Sequence, residues 1–341
     1  MDEDIRDRTL VDDRLRRGRA ILVTGGCGFI GSHLIRELLG RGDLVYCMDS
    51  FITGSADNAF DFRNNPRFVL INQDVRDPIL LEKRVSQVYH LACAASPSQY
   101  QRDPLHTMRT NVHGAFNVCE LARRCGARVL LASTSEVYGD PVIHPQSEEN
   151  WGNVNPVGPR ACYDEGKRAA ETIFTDYRRM HGLEIRIARI FNTYGPGMSL
   201  KDGRVVSNFI VEAIEGKRLS VYGDGSQTRS FCYVSDMVSG LIALMSSDNE
   251  KNFELPVNLG NPEEISIKQL ACIVRESLPA SGEDQFEEEY HPLPQDDPKR
   301  RRPDIARAMQ YLNWEPRVTL REGLALTISD FKRRLLAMTT G

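Results

Sequence analysis

A glycine-rich turn between an apolar strand and a helix constrains the fold of this chain more than any other feature. In "VTGGCGFIGSHL", Gly25, Gly28 and Gly31 follow the apolar run "RAILVTG" and lead directly into a helical segment. Such a turn lets the backbone approach a pyrophosphate, and the free N–H groups at the helix start bind the anion. Asp49 ends the next strand, where its carboxylate would accept hydrogen bonds from a ribose diol and repel a 2′-phosphate. The pattern predicts a dinucleotide site that prefers NAD to NADP.

Apolar runs of strand length alternate with helical segments from residue 19 onward, among them "LVYCMDS", "RFVLINQDV", "QVYHLACAA", "ARVLLASTS" and "LEIRIARIFN". Near-continuous apolar strands separated by helices indicate a parallel sheet covered on both faces. We therefore predict an α/β fold with a Rossmann-type doubly wound parallel sheet in an NAD-binding domain over 19–195. A smaller, mostly C-terminal α/β substrate-binding domain is predicted over 196–335, with part of 227–260 returning to the sheet. Residues 1–18 are expected to be a charged, loosely ordered lead-in.

Composition narrows the function classes. Charged residues make up 26% of the chain and the net charge is −4, so no basic field indicates a nucleic-acid partner. The apolar runs are too short to span a membrane, and the N-terminal stretch has no apolar signal segment. The 8 cysteines show no CxxC pair or other ligand spacing. We expect a cytoplasmic protein with reduced thiols, no metal site and no membrane association.

The stretch "RACYDEGKRAAE" begins a helix that places a lysine on its apolar face. At helical spacing that face carries seven residues: Tyr163, Gly166, Lys167, Ala170, Ile173, Phe174 and Tyr177. The charged residues of the other side are expected to face solvent: Asp164, Glu165, Arg168, Glu171 and Arg178. Lys167 lies one turn from Tyr163, where its charge would lower the phenol pKa from about 10 towards neutrality. The phenolate would then take a proton from a substrate hydroxyl as hydride leaves for a nicotinamide.

Polar residues at the ends of two further strands point to the same crevice. Thr134, Ser135 and Glu136 end the fifth strand, and an acid next to the tyrosine can move protons at a neighbouring carbon. A cap for the following turn is the alternative role for Glu136. Asp74 ends the third strand, where it would reach an adenine or, equally well, cap a helix.

These motifs resemble those of the extended short-chain dehydrogenase/reductase superfamily, whose members act on sugar nucleotides. Longer blocks, including "LLASTSEVYGDP", "HPQSEENWGNVNPVGPRACYDEGKR", "RIARIFNTYGPGM" and "DDPKRRRPDI", resemble the UDP-glucuronate decarboxylase (UDP-xylose synthase) family within it, over about residues 19–335. The resemblance implies NAD-dependent conversion of UDP-glucuronate to UDP-xylose and CO2. The reaction would pass through a UDP-4-keto intermediate, with NAD recycled internally.

The resemblance also implies roles for individual residues. The catalytic set is Tyr163, Lys167, Thr134, Ser135, Glu136 and Arg301. The cofactor contacts are Gly25, Gly28, Phe29, Ile30, Gly31, Asp49, Ser50, Phe51, Thr53, Gly54, Asp74, Val75, Leu91, Cys93, Thr110, Tyr163, Lys167 and Thr193. The substrate contacts are Tyr100, Arg109, Arg160, Asn192, Arg204, Tyr222, Arg229 and Arg301. The family often has serine where this chain has Cys93, a difference expected to alter NAD retention only slightly.

Other functions stay open at this point. In the related 4,6-dehydratases an aspartate stands where this chain has Ser135, and the 4-epimerases usually lack the glutamate that follows it. A decarboxylase that releases the UDP-4-keto-pentose and NADH, or a non-catalytic nucleotide-binding module, would share most of the motifs. In this superfamily the helix at 104–125 and the Tyr163 helix commonly pair across a two-fold axis. The resemblance thus predicts a homodimer through a four-helix bundle. Ile173, Phe174 and Tyr177 would serve either that contact or, equally well, the internal core.

Overall fold

The computed structural model describes residues 18–248, 255–278, 287–298 and 300–339. Residues 1–17 of the predicted lead-in lie outside the described residues. The strands are β1 (Ala20–Thr24), β2 (Leu44–Asp49), β3 (Phe68–Asn72), β4 (Gln87–His90), β5 (Arg128–Thr134), β6 (Ile185–Ile190), β7 (Thr193–Tyr194), β8 (Leu219–Tyr222), β9 (Thr228–Ser230), β10 (Cys232–Tyr233), β11 (Val257–Leu259), β12 (Glu264–Ser266), β13 (Glu288–His291) and β14 (Arg300–Arg301). The helices are α1 (Phe29–Gly40), α2 (Pro97–Tyr100), α3 (Pro104–Cys125), α4 (Ala161–His181), α5 (Val205–Ile214), α6 (Val234–Ser246), α7 (Ile267–Glu276), α8 (Ala306–Leu312) and α9 (Leu320–Thr339), with 3₁₀ helices at Ala56–Phe62 and Ser135–Tyr138.

Seven parallel strands form the main sheet, in the order β3-β2-β1-β4-β5-β6-β11. The chain order reverses between β1 and β4, and the crevice outside the carboxyl ends of strands at such a switch point is where ligands bind. This topology confirms the predicted Rossmann-type sheet. β11 comes from the C-terminal half of the chain and pairs with β6. The division into domains at residue 195 stays a prediction.

Both faces of the sheet are covered, as the apolar strand composition requires. In β1, Ile21 and Val23 belong to a core shared with α1, whereas Leu22 belongs to a second core shared with α3 and α4. Local signals end the two long helices: α3 stops at Gly126 and α4 at Gly182, both in the left-handed conformation. The lengths of α3 and α4 thus place their first turns beside the sheet's carboxyl edge.

Three small sheets extend the fold beyond that edge. β8 pairs with β13, β7 pairs with β10, and β9 pairs with both β12 and β14. The register of β14 sets Arg301 beside Arg229 of β9. The C-terminal half therefore delivers two guanidinium groups to one place. No helix among the described residues is both long and apolar enough to cross a membrane.

Candidate active site

A cleft of about 1610 Å³ opens at the carboxyl edge of the main sheet. The glycine turn after β1 lines one end, and residues of the small sheets line the other. Tyr163 and Lys167 of α4 line its middle. The glycine turn, the Tyr163–Lys167 pair and the small sheets therefore line one continuous cleft.

The glycine turn is packed so tightly that side chains cannot be added. A Cβ on Gly31 would lie 2.3 Å from the Gly25 carbonyl oxygen, and Gly25 has a φ of +70°. Gly28 is the N-cap of α1, and no side chain caps the free N–H groups there. The helix start therefore offers backbone donors to an anion, as the sequence predicted.

The Asp49 carboxylate lies directly under this turn and fixes the loop that follows β2. Its two oxygens accept hydrogen bonds from the backbone N–H groups of Cys27 at 2.9 Å and Phe51 at 2.8 Å. A Cβ on Gly54 would come within 2.9 Å of the same carboxylate, so the loop closes against it. Burial raises the pKa of Asp49, although the backbone donors act against this. Asp49 thus holds the turn and still lines the cleft.

Asp74 takes part in a charged cluster at the end of β3. Its carboxylate accepts from Arg76 at 3.0 Å and lies 3.3 Å from a His106 ring nitrogen. Burial acts to raise the pKa of Asp74, but hydrogen bonds from Arg76 prevail and lower it. Thr110 donates to the His106 carbonyl at 2.9 Å, so α3 holds this wall of the cleft.

Tyr163 and Lys167 lie one turn apart on the buried face of α4, as predicted. The Lys167 Nζ donates to the Ala132 carbonyl at 2.9 Å and lies 5.9 Å from the centroid of the Tyr163 ring. The Tyr163 ring also stacks on Tyr100, with centroids 4.8 Å apart. The phenol therefore has a buried ammonium group and a second aromatic ring as neighbours.

The protein alone does not make the Tyr163 phenol acidic. Burial raises the pKa of Tyr163 well above its ordinary value, and the Cys93 thiol acts in the same direction, whereas a hydrogen bond with Thr134 lowers it. Burial also lowers the pKa of Lys167. Desolvation sets this direction in the protein alone, and the effect of Lys167 on the phenol pKa beside a bound nicotinamide stays a prediction.

Glu136 is the centre of a buried group of charges. Its Oε1 accepts from Arg301 Nη1 at 2.8 Å and lies 3.8 Å from Arg160 Nη2. Burial acts to raise the pKa of Glu136, but the guanidinium groups of Arg301, Arg160 and Arg229 together lower it. Glu136 is accordingly held as a carboxylate, and the hydrogen bond that it accepts from Arg301 connects the 3₁₀ helix Ser135–Tyr138 to β14.

Two aspartates that the sequence did not single out organise the remaining arginines. Asp297 accepts from Arg160 at 2.9 Å and from Arg229 at 2.7 Å, so one carboxylate bridges both groups. Asp202 accepts from Arg204 at 2.5 and 3.0 Å. The segment "YHPLPQDDPKRRRPD" looked like a loop, and no local pattern identifies a contact made across so much of the chain.

Most predicted site residues share the cleft, and three do not line it. Thr134, Ser135, Glu136, Arg160, Asn192, Arg204, Tyr222, Arg229, Arg301 and every predicted cofactor contact except Phe51 line the cleft. Tyr100 is buried and does not line the cleft, and its hydroxyl oxygen accepts a hydrogen bond from Arg160 Nε at 2.9 Å. Arg109 is exposed on α3, away from the lining residues.

The prediction that the charged side of α4 faces solvent is wrong for Asp164 and Glu171. Asp164 is only 7% exposed, because this side of the first turn packs against the 3₁₀ helix Ser135–Tyr138 rather than facing water. Glu171 lies against the sheet, where its carboxylate accepts from Arg189 at 3.0 and 2.8 Å and from Ser133 at 2.6 Å. Among the residues that the structure describes, no group of histidine, cysteine or acidic side chains is placed to hold a metal ion.

Solved structures of sugar-nucleotide enzymes share this architecture. The dTDP-glucose 4,6-dehydratase DesIV from Streptomyces venezuelae, crystallised with NAD, is 27% identical with a TM-score of 0.82, covering 92% of this chain and 97% of that one. The UDP-glucuronic acid 4-epimerase from Bacillus cereus, in complex with UDP-glucuronic acid and NAD, is 26% identical with a TM-score of 0.80, covering 92% and 99%.

Comparison of sequences shows to which family of sugar-nucleotide enzymes this chain belongs. The family described as GDP-mannose 4,6 dehydratase matches residues 22–327. UDP-glucuronic acid decarboxylase 1 of Arabidopsis thaliana is 56% identical over 94% of this chain and 72% of its own length. UDP-glucuronic acid decarboxylase 1 of Xenopus tropicalis is 54% identical over 93% of this chain and 73% of its own. On this similarity the chain belongs to the UDP-glucuronic acid decarboxylases, within the GDP-mannose 4,6 dehydratase family.

Proposed function

We propose that this chain catalyses the NAD-dependent decarboxylation of UDP-glucuronate to UDP-xylose and CO2, through a UDP-4-keto intermediate and with internal recycling of NAD. The observation that carries the proposal is the Glu136–Arg301 pair, which faces the same cleft as Tyr163 and the glycine turn. The residues assigned to hydride transfer thus lie next to a carboxylate–guanidinium pair that can bind an anion and transfer a proton. The decarboxylase relatives, more than half identical over most of the chain, support the same reaction.

The residues present fit a bound NAD. The uncapped start of α1 suits the pyrophosphate, and the close packing of Gly31 on Gly25 leaves the backbone accessible. Asp49 would accept from the adenosine ribose and repel a 2′-phosphate. A bound NAD would supply a reversible hydride acceptor and a positive charge to this part of the cleft.

Tyr163 is the group we assign to the C4 hydroxyl of the sugar. Its phenolate would take the hydroxyl proton, while Thr134 and Lys167 stabilise charge at O4. The resulting C4 ketone stands β to the C6 carboxylate. The C5–C6 bond then breaks, CO2 leaves, and its electron pair is delocalised onto the ketone oxygen as an enolate.

The arginines and Glu136 would act on the other half of the substrate. A UDP-sugar acid presents a pyrophosphate and a carboxylate, and guanidinium groups bind both with paired hydrogen bonds. We assign Glu136, Ser135 and Arg301 to decarboxylation and protonation at C5. Return of hydride to C4, with the Tyr163 proton returned to O4, completes UDP-xylose.

The alternatives differ in what leaves the site. A 4,6-dehydratase would require an acid at position 135, where this chain has a serine. A 4-epimerase would release no CO2, and a decarboxylase without hydride return would accumulate NADH. A binding module has no need of a buried Tyr163–Lys167 pair beside Glu136 and Arg301.

The direct test is incubation of the purified protein with UDP-glucuronate, followed by proton NMR of the sugar signals. We expect UDP-xylose to form without net accumulation of reduced nicotinamide, and the Tyr163→Phe variant to be slower by about 100-fold or more. Survival of UDP-glucuronate in excess NAD, while another sugar nucleotide is converted, would reject the substrate assignment.

We also propose that the chain forms a homodimer through a four-helix bundle of α3 and α4. These helices pack together, and Phe116 stays 47% exposed beside Tyr177, with ring centroids 6.3 Å apart. Phe174 is fully buried in the core, so it would not contribute to this contact. A Phe116→Glu variant should sediment as a monomer if the bundle is the interface, and an unchanged dimer would reject that assignment.

We propose that the protein is cytoplasmic, because its 8 cysteines are free thiols, which suits a reducing compartment. We also propose a division into two domains, in which residues 19–195 bind NAD and residues 196–335 bind the UDP-sugar.

A further inference from the structure

Tyr100 occupies a place in the fold that a substrate contact would not need. Its side chain is fully buried and does not line the cleft. It ends α2, where its carbonyl oxygen accepts hydrogen bonds from the Thr107 hydroxyl of α3 at 3.0 Å and from the Cys162 thiol of α4 at 3.7 Å. The backbone at Tyr100 is thus fixed to both long helices, on α4 at the residue that directly precedes Tyr163.

The Tyr100 ring lies parallel to the Tyr163 ring. The two planes differ by 3° and the centroids are 4.8 Å apart, which is the offset-stacked arrangement that aromatic pairs favour. The torsion that turns a tyrosine ring has a broad energy well, so the plane of the ring is set by what packs against its faces. As at other sp² oxygens, hydrogen bonds to a phenolate oxygen form near the plane of its substituents. The stack therefore restrains the direction in which Tyr163 can exchange a proton.

The Tyr100 hydroxyl connects this stack to the charged end of the cleft. Its oxygen accepts a hydrogen bond from Arg160 Nε at 2.9 Å. Nη1 of the same guanidinium group donates to the Asp297 carboxylate at 2.9 Å and to the Asp296 carbonyl oxygen at 3.2 Å. Because a guanidinium group is planar and rigid, partners at Nε and Nη1 together fix its orientation. Arg160 thereby holds the Tyr100 hydroxyl in place.

Tyr100 is not equipped to exchange protons with a substrate. Burial and the negative charge of Glu136 raise the pKa of Tyr100, so its hydroxyl stays protonated. The hydroxyl is bonded to Arg160, and the residue does not line the cleft. Its one contact with the residues assigned to hydride transfer is the parallel stack on Tyr163.

We propose that Tyr100 is a positioning residue, whose ring holds the plane of the Tyr163 phenol and whose hydroxyl couples that plane to Arg160. The inference rests on the proposed function, in which Tyr163 is the base at the C4 hydroxyl. It differs from the substrate contact that the family resemblance implies for Tyr100. A positioning residue changes the rate at which the C4 hydroxyl is oxidised, whereas a substrate contact changes the affinity for UDP-glucuronate.

The test measures the first-order rate constant for formation of reduced nicotinamide in a single turnover of UDP-glucuronate by the NAD-loaded enzyme, together with KM. Tyr100→Leu removes the stack and the hydroxyl, and it should lower the rate constant by about 100-fold, because displacement of a reacting group by about 1 Å can cost that much. Tyr100→Phe keeps the ring and loses only the bond to Arg160, so we expect a decrease of about tenfold. KM should be unchanged in both variants.

Tyr138→Phe is the matched control. The Tyr138 hydroxyl is also buried and also accepts from an arginine, Arg189 Nη1 at 3.0 Å, but Tyr138 neither lines the cleft nor forms the stack with Tyr163. We expect this variant to keep the wild-type rate constant. A loss of folded protein reduces the amplitude of a single turnover and leaves its rate constant unchanged, so the measurement separates positioning from stability.

Four results would overturn the proposal. Tyr100→Leu with the wild-type rate constant, whatever its amplitude, would show that the stack does not position the phenol. A raised KM with an unchanged rate constant would establish a substrate contact instead. Equal slowing by Tyr100→Phe and Tyr138→Phe would show that any buried tyrosine hydroxyl has this effect. These three results leave the proposed function intact when the wild type forms UDP-xylose, whereas a wild type that forms none removes both proposals.

Discussion

Replacing Glu136 by glutamine should destabilise the protein in a pH-dependent way. The substitution preserves the shape of the side chain but removes its charge from beside two guanidinium groups, at 2.8 Å (Arg301) and 3.8 Å (Arg160). With an effective dielectric constant of about 20, these distances correspond to Coulomb attractions of about 6 and about 4 kcal/mol before desolvation is subtracted. Removal of one partner of a buried ion pair typically costs about 3–5 kcal/mol. We expect about 3 kcal/mol, because the glutamine oxygen can still accept from Arg301.

The sign of the pH dependence follows from the lowered pKa of Glu136. A carboxyl group with a lowered folded-state pKa contributes stability above its unfolded-state value, and that contribution is lost as the pH falls through the folded-state value. The free-energy difference between wild type and Glu136→Gln should therefore be largest near neutral pH and should disappear in acid.

Urea unfolding followed by the fluorescence of the buried Trp314 measures this difference. Glu37→Gln is the control, since Glu37 forms an exposed i,i+4 pair with Arg41 that is worth about 0.3–0.5 kcal/mol. Equal unfolding free energies for wild type and Glu136→Gln at neutral pH would refute the assignment of Glu136 as a buried, charged centre. So would a difference that persists unchanged in acid.

Further predictions concern specificity, stability and the cofactor. Ser135→Asp should reduce kcat/KM for UDP-glucuronate by about 1,000-fold. The introduced aspartate and the C6 carboxylate of the substrate would repel each other by about 4 kcal/mol at a separation of about 4 Å. Steady-state kinetics measures the effect, and equal kcat/KM values for Ser135→Asp and the uncharged control Ser135→Asn would contradict it. Asp164→Asn should raise the unfolding free energy by on the order of a few kcal/mol at neutral pH. The raised pKa of the Asp164 carboxyl group destabilises the wild-type fold increasingly between about pH 4 and about pH 8. Urea unfolding across that range should show a gain in stability that grows with pH, and a constant gain would argue against this explanation. Gly31→Ala should abolish NAD binding, measured by titration calorimetry, since the added Cβ would lie 2.3 Å from the Gly25 carbonyl oxygen. The control Gly40→Ala, whose Cβ would have nothing within 4 Å, should bind NAD normally. Retained binding by Gly31→Ala would show that the turn is not too tightly packed for a side chain.

Local patterns were sufficient to predict the sheet and one half of the site. The glycine turn, the acid at Asp49 and the Tyr163–Lys167 spacing each depend on residues close together in the sequence, where helix and strand periods apply. The structure places all of them along one cleft. The arginines could be assigned to the site only through the family resemblance, because a basic run by itself usually indicates a solvated loop.

What could not be predicted depends on contacts between distant segments. Asp297 bridges Arg160 and Arg229 from a stretch that has no periodic pattern. Asp164 lies on the charged side of α4 by sequence, yet the packing of the 3₁₀ helix buries it. The upward shift of the Tyr163 pKa in the protein alone has the same origin, since the degree of burial emerges only once the sheet and helices are packed.

The most direct test of internally recycled redox chemistry is conversion of UDP-glucuronate deuterated at C4, followed by NMR of the product. The account predicts UDP-xylose that keeps its deuterium at C4 and gains one hydrogen from solvent at C5, because the hydride leaves and returns within one site while CO2 is replaced by a proton. UDP-xylose with ordinary hydrogen at C4, or a 4-keto sugar with deuterium in the free NADH, would contradict it.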